Sequence, residues 1–175
     1  MPPAARNIEL KARIADFTAA IVTARSLAAE PPQSVHQIDT YFNAAHGRLK
    51  LREVAGREAQ LVWYSRSDQA EAKSSDYRLV PAADPAALKQ ALGEALRIKQ
   101  VVEKQRLVFM YGNVRIHLDE VVGLGFFLEF EAVLGPGIDD SAGRAQVEFL
   151  KSAFRLRGED LIAHSYSDLL AERNG

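Results

Sequence analysis

The 175-residue sequence contains no cysteine, so neither a disulfide nor a thiolate metal site can take part in its chemistry. That absence suits a reducing cytoplasm. It also lacks any run of about 18 apolar residues and any basic N-terminal segment leading into a short apolar stretch, so a soluble, unprocessed, cytoplasmic chain with no membrane partner is expected. An excess of one charge is missing as well. Its 22 Lys+Arg and 23 Asp+Glu residues leave a formal net charge of −1, which exerts no global pull on nucleic acid, so any anion site must come from local clustering. The four histidines, His36, His46, His117 and His164, show no HExxH or paired spacing, which argues against zinc catalysis. A phosphate-binding GxxxxGK[ST] loop is absent, and Gly123-Leu124-Gly125 lacks the third glycine and following helix of a dinucleotide turn. His164, Ser165 and Asp168 are triad residue types, but closeness in sequence gives no triad geometry.

What the sequence does contain is alternation. From Asn7 to Arg13, Ile8, Leu10 and Ala12 point one way and Asn7, Glu9, Lys11 and Arg13 the other, which predicts a strand with one charged face. Helical spacing then predicts a helix over 17–29, capped by Asp16 and ended by Pro31-Pro32. Extended segments follow at 36–42, 48–53, 60–66 and 77–80. Asp84-Pro85 opens a second helix over 85–97, and three strands come after it at 101–111, 114–121 and 126–134. Val147, Leu150 and Phe154 mark a later helix, and a short helical tail begins at Ser165. One α+β domain over 1–175 is expected, with about eight antiparallel strands and helices packed outside.

Charge of both signs recurs on one parity of several strands. Arg48, Lys50 and Arg52 alternate with Leu49 and Leu51; Arg115, His117 and Asp119 with Ile116 and Leu118; Glu129 and Glu131 with Leu128 and Phe130. A solvated sheet face would explain any one strand. Eight strands can also close into a barrel, and charges turned into its lumen would call for a bound polyanion and metal. The cations on this parity are Lys11, Arg13, Arg48, Lys50, Arg52, Lys104, Arg106 and Arg115, and the acids are Glu9, Asp119, Glu129 and Glu131. Arginine forks and lysine ammonium groups suit a phosphate chain, and carboxylates suit Mg²⁺ or Mn²⁺.

The stretch Asn7-Ile8-Glu9-Leu10-Lys11 resembles the N-terminal signature of CYTH proteins, which include class IV adenylyl cyclases, thiamine triphosphatase and inorganic triphosphatases. The likeness continues in order through Gln37-Ile-Asp39-Thr-Tyr41-Phe42, Leu49-Lys50-Leu51-Arg52, Val102-Glu-Lys104-Gln-Arg106, Arg115-Ile-His117-Leu-Asp119, the Gly123 to Glu131 segment and Ser165 to Leu170. It implies a closed antiparallel triphosphate tunnel. It further implies Glu9, Glu129 and Glu131 as metal ligands, Lys11, Lys50, Arg52, Lys104, Arg106 and Arg115 as triphosphate ligands, and Lys11, Arg106 and Asp119 as catalytic. Asp119 could hold a metal or orient a cation. Two departures stand out: Asn7 occupies the position where the motif usually begins with Glu, and Tyr64 follows Trp63 where many relatives carry lysine, with Arg66 two positions on. The first removes a charge from the metal site and the second argues against a lysine base. His117 is either a proton-transfer residue or a hydrogen-bonded barrel histidine; Trp63 and Tyr64 either pack or stack on a base.

The resemblance therefore implies a Mg²⁺- or Mn²⁺-dependent enzyme that converts ATP to cyclic AMP and pyrophosphate. Hydrolysis of tripolyphosphate or an organic triphosphate is the second reading, and non-catalytic binding of nucleotide or polyphosphate a third. The basic residues are expected to face a lumen no duplex can enter, so nucleic acid is excluded as a partner, and a homodimer is left open.

Overall fold

The computed structural model describes residues 4–174. Eight strands, β1 (Ala5–Arg13), β2 (Gln33–Phe42), β3 (Arg48–Val54), β4 (Ala59–Arg66), β5 (Lys73–Ala82), β6 (Ile98–Tyr111), β7 (Val114–Val121) and β8 (Gly125–Val133), form a closed antiparallel barrel in the order β1-β5-β4-β3-β2-β6-β7-β8. Closure is made by β1, which pairs with β5 on one side and with β8 on the other. Among the described residues four α-helices lie outside: α1 (Phe17–Leu27), α2 (Pro85–Leu96), α3 (Asp140–Ala153) and α4 (Tyr166–Asn174). No helix among the described residues is long and apolar enough to cross a membrane.

The alternation decides which side of the barrel wall is dry. Outward-facing Ile8, Leu10, Ile116, Leu118, Leu128, Phe130 and Ala132 are fully buried. They form one core with Ala20 and Ala24 of α1 and Val147 and Leu150 of α3. Gly143 lets α3 come down onto β1, because a Cβ there would lie 2.7 Å from Leu134 and 2.9 Å from Ile8. On the far side Leu88, Leu92 and Leu96 of α2 cover Phe42, Leu51, Ala59 and Ala82. The hydrophobic effect thus acts between barrel and helices, leaving the lumen to polar side chains.

The capping residues stand as expected: Asp16 accepts from the Ala19 amide, and Asp84, followed by Pro85, accepts from Ala87. Boundaries differ where tertiary pairing outweighs local pattern. α1 stops at Leu27, short of the expected residue 29, because Ala28 is already extended. The expected strand at 77–80 lies inside a ten-residue one: Lys73-Ser74-Ser75-Asp76 reads as a loop in isolation, yet it supplies the partners of Asn7, Ile8 and Glu9 that close the barrel.

Candidate functional site

The lumen is a cavity of about 600 Å³. It has one open end. At the other end the segment leading into α4, with the first residue of that helix, crosses the barrel: the Ile162 amide donates to the Lys11 carbonyl, Arg66 donates to the Ala163 carbonyl, and Ser165 and Tyr166 form part of the lining. Asp168 holds this plug in place through Arg48 (3.1 Å) and Lys99 (2.8 Å). Exposure rises along β6 towards the open end, from 2% at Lys104 and 5% at Arg106 to 46% at Met110. The tunnel is therefore a cup with a floor.

Of the expected triphosphate ligands, Lys11, Lys50, Arg52, Lys104, Arg106 and Arg115 all line the cavity. Two other cations expected on the lumen face, Arg13 and Arg48, do not line the cavity. Arg13 lies at the closed end, where it donates to the Leu124 carbonyl and rests on the Phe127 ring. Arg48 is drawn away by Asp68 and Asp168. Both share the lumen parity, but they sit at strand ends beyond the plug, and parity alone carries no information about depth.

Two buried acids support the basic floor. Asp39, 1% exposed, accepts from Lys50 (3.0 Å) and Gln37 (2.9 Å) and lies 3.6 Å from Lys104. Asp119, fully buried, takes both arms of the Arg106 fork at 2.6 Å and the Tyr166 hydroxyl at 2.8 Å. Burial alone would raise both acids, but Lys50 and Lys104 around Asp39, and Arg106 and Lys104 around Asp119, hold them well below the usual carboxylate range. Asp119 thus does not line the cavity; it holds Arg106 from below. Asp39 has the same role towards Lys50, and its place beside Gln37 and Tyr41 on one parity of β2 was the available signal. Tyr166 and Tyr41 complete the floor, with the Lys11 ammonium 3.8 Å from the Tyr166 ring centre and that of Lys50 5.2 Å from Tyr41. Tyr64 lines the same wall, 5.7 Å from the Lys50 ammonium.

Lys104 is pushed down to about 7, first by burial and then by the Arg106 guanidinium beside it. An arriving polyanion would restore its charge. Binding of tripolyphosphate above pH 7 is therefore expected to take up protons, read by calorimetry in buffers of different ionisation enthalpy, and Lys104→Met should remove most of that uptake. The effect on stability has its own sign. Below about pH 7 Lys104 is charged in the folded and unfolded chain and its burial penalty is present in full; as pH rises towards about 10.4, the unfolded value, the penalty is lost and stability rises.

The acids that face the lumen divide into two groups. His117 and Glu129 are partners across β7 and β8, as are Arg115 and Glu131, and the His117 Nδ1 atom and oxygens of Glu129 and Glu131 lie within 4.8 Å of one another. Glu9, opposite Glu131 on β1, instead forms a 2.9 Å ion pair with Arg66. Burial, and then the Glu129 charge, raise Glu9, whereas Lys11, the neighbouring His117 and Arg106 together outweigh burial and hold Glu129 well below the carboxylate range. His117 is lowered by burial and by Arg106. Two buried side-chain atoms here have no hydrogen-bond partner, the Asn7 Oδ1 acceptor and His117 Nδ1. Unpartnered lone pairs beside clustered carboxylates fit a divalent cation, which would be held by Glu129, Glu131 and His117, with Glu9 adjacent.

Comparisons with known proteins agree with this architecture. A protein from Pyrococcus horikoshii superposes with a TM-score of 0.83 at 20% identity, covering 93% of this chain and 98% of that one. A candidate adenylate cyclase from Vibrio parahaemolyticus gives 0.74 at 20% identity over 97% and 99% of the two chains. A candidate adenylyl cyclase from Hippeastrum, described as having a dominant triphosphatase activity, gives 0.63 at 16% identity over 97% and 96%. These likenesses are of fold. No curated protein matches the chain in sequence comparison. The sequence profile of the CYTH domain, however, matches residues 5–166, so this chain belongs to the CYTH domain family.

Proposed function

We propose that the protein is a metal-dependent enzyme acting on an organic triphosphate, with ATP converted to cyclic AMP and pyrophosphate as the leading reaction. The observation that carries this reading is the order of chemistry along the cup. The basic floor is Lys11, Lys50, Lys104 and Arg106. Glu9 and Glu131 form a pair two residues above the Lys11–Glu129 pair, roughly 7 Å nearer the mouth at the rise of a strand. The mouth itself carries apolar Val35, Val54, Leu79, Val108 and Met110. A triphosphate lowered terminal phosphate first would set two phosphates on the floor, its inner phosphate beside the acids and an organic group against the apolar collar. Inorganic tripolyphosphate has nothing for that collar to bind.

In this arrangement the floor stabilises charge developing on departing pyrophosphate, and the buried Asp39 and Asp119 keep its cations pointed into the lumen. When bound, a divalent cation would neutralise phosphate charge and acidify the attacking hydroxyl. Because water could take the place of that hydroxyl, hydrolysis is the second reading, favoured by the triphosphatase activity of the Hippeastrum relative. One substrate panel decides: ATP and tripolyphosphate, each with Mg²⁺ and Mn²⁺, followed by chromatography. Cyclic AMP with equimolar pyrophosphate is expected. Phosphate from tripolyphosphate well above any product from ATP would overturn cyclisation in favour of hydrolysis, and triphosphate binding without turnover in either metal would leave only a binding protein.

A further inference from the structure

The metal-dependent reading leaves open which cation the cup takes, and the unpartnered His117 nitrogen bears on this. His117 is 4% exposed, and its Nδ1 atom is 3.8 Å from Glu129 Oε2 and 3.8 Å from Glu131 Oε1, beyond hydrogen-bond reach of both. An imidazole nitrogen buried against two carboxylates without a hydrogen bond is costly unless something lies between them. Two ligand atoms that share one ion at about 2.1–2.2 Å each can be no more than about 4.4 Å apart, so each histidine–carboxylate separation suits a shared ion.

The surrounding charge narrows the choice. Glu129 Oε2, the oxygen that faces His117, already accepts from Arg106 at 3.0 Å, and Glu129 Oε1 lies 3.5 Å from Lys11, while the other oxygen of Glu131 accepts from Arg115 at 3.0 Å. Carboxylates shared with three cations offer less charge to a dication that binds by charge alone. His117 contributes a neutral nitrogen, which adds nothing to that charge. Mg²⁺ favours hard oxygen ligands and keeps its water, whereas first-row transition ions gain from a nitrogen donor. We infer that His117 Nδ1 is a direct metal ligand, forming with Glu129 and Glu131 a mixed nitrogen and oxygen site that selects a first-row transition dication over Mg²⁺.

This inference rests on the proposed metal-dependent function but is tested without turnover. Chelator-stripped full-length protein is titrated with Mn²⁺, free ion being followed by electron paramagnetic resonance, alone and with a non-hydrolysable α,β-methylene analogue of ATP. Electron spin-echo modulation then looks for ¹⁴N coupled to bound Mn²⁺, and Co²⁺, Zn²⁺ and Mg²⁺ compete for the site. The expected result is a nitrogen-coupled Mn²⁺ displaced by Co²⁺ or Zn²⁺ far more readily than by Mg²⁺. In His117→Gln the coupling should vanish and the preference for Mn²⁺ over Mg²⁺ should fall at least about 10-fold. Glu131→Gln should weaken binding while keeping the coupling in whatever Mn²⁺ remains. Bound Mn²⁺ with no ¹⁴N coupling in the wild-type protein overturns the inference and leaves metal dependence standing. A coupling that survives in His117→Gln overturns it too, because another nitrogen is then the donor. Absence of cation binding in both arms overturns it together with the metal-dependent reading.

Discussion

Replacing Arg106 with alanine is expected to remove both ligand affinity and a large part of the folding stability. Arg106 is the principal partner of Asp119, a carboxylate with no solvent exposure, and a further partner of Glu129. Deleting one member of such a buried pair leaves an uncompensated charge and costs about 3–5 kcal/mol. Lys104 at 3.7 Å and the Tyr166 hydroxyl remain, which places the expected loss towards the lower end of that range. Arg52→Ala provides the contrast. Its side chain is 27% exposed and its approach to Asp39 is a long 3.5 Å, so the fold should be little affected. It still loses a charge-assisted contact of about 1.5–3 kcal/mol to a triphosphate, and affinity measured in EDTA should drop about 10- to 100-fold. Urea unfolding and calorimetry on the two variants separate these effects. If Arg106→Ala unfolds at the wild-type midpoint, Asp119 is not held by Arg106 in the way described.

The second large effect is expected at the acids. Glu131→Gln and Glu9→Gln should each lower metal-dependent turnover by about 100-fold or more, since carboxylates that neutralise or position a catalytic cation have no amide substitute. Triphosphate affinity in EDTA should stay the same or increase, because negative charge has been taken from a polyanion site. The variants should differ in one respect. Glu9→Gln leaves Arg66, whose side chain is 2% exposed, without its 2.9 Å partner and should lower stability, whereas Arg115, 36% exposed, can turn to water in Glu131→Gln. Rates measured across metal concentration, together with thermal unfolding, report both. Full metal-dependent rates in folded carboxamide variants would return these acids to the role of ion-pair partners within the barrel.

Strand alternation made the barrel and most of its lining legible because a side-chain period of two divides each strand into a dry face and a wet one. Lys50, Arg52, Lys104, Arg106 and Arg115 could be placed on the lumen from that pattern, and the structure puts all five there. Depth was not legible. Arg13 and Arg48 have the same parity as the floor residues, and only the path of the C-terminal segment shows that they lie beyond it. Partner choice was not legible either: Glu9 pairs with Arg66 because β4 comes round to it through β5, a consequence of strand order that no local pattern records. Asp39 was hidden for another reason. A carboxylate that lines a cavity and one that lies beneath its lysines have the same spacing along a strand.

The plug made by Ser165 and Tyr166 also has a kinetic meaning. A tunnel open at both ends could admit substrate at one side and discharge products at the other, but a cup has a single exit. Whatever sits at the collar must leave before whatever sits on the floor. For the proposed cyclisation, cyclic nucleotide would depart first and pyrophosphate, held by four cations beneath it, last. Release would then be ordered, and the free enzyme would be the form that pyrophosphate rebinds.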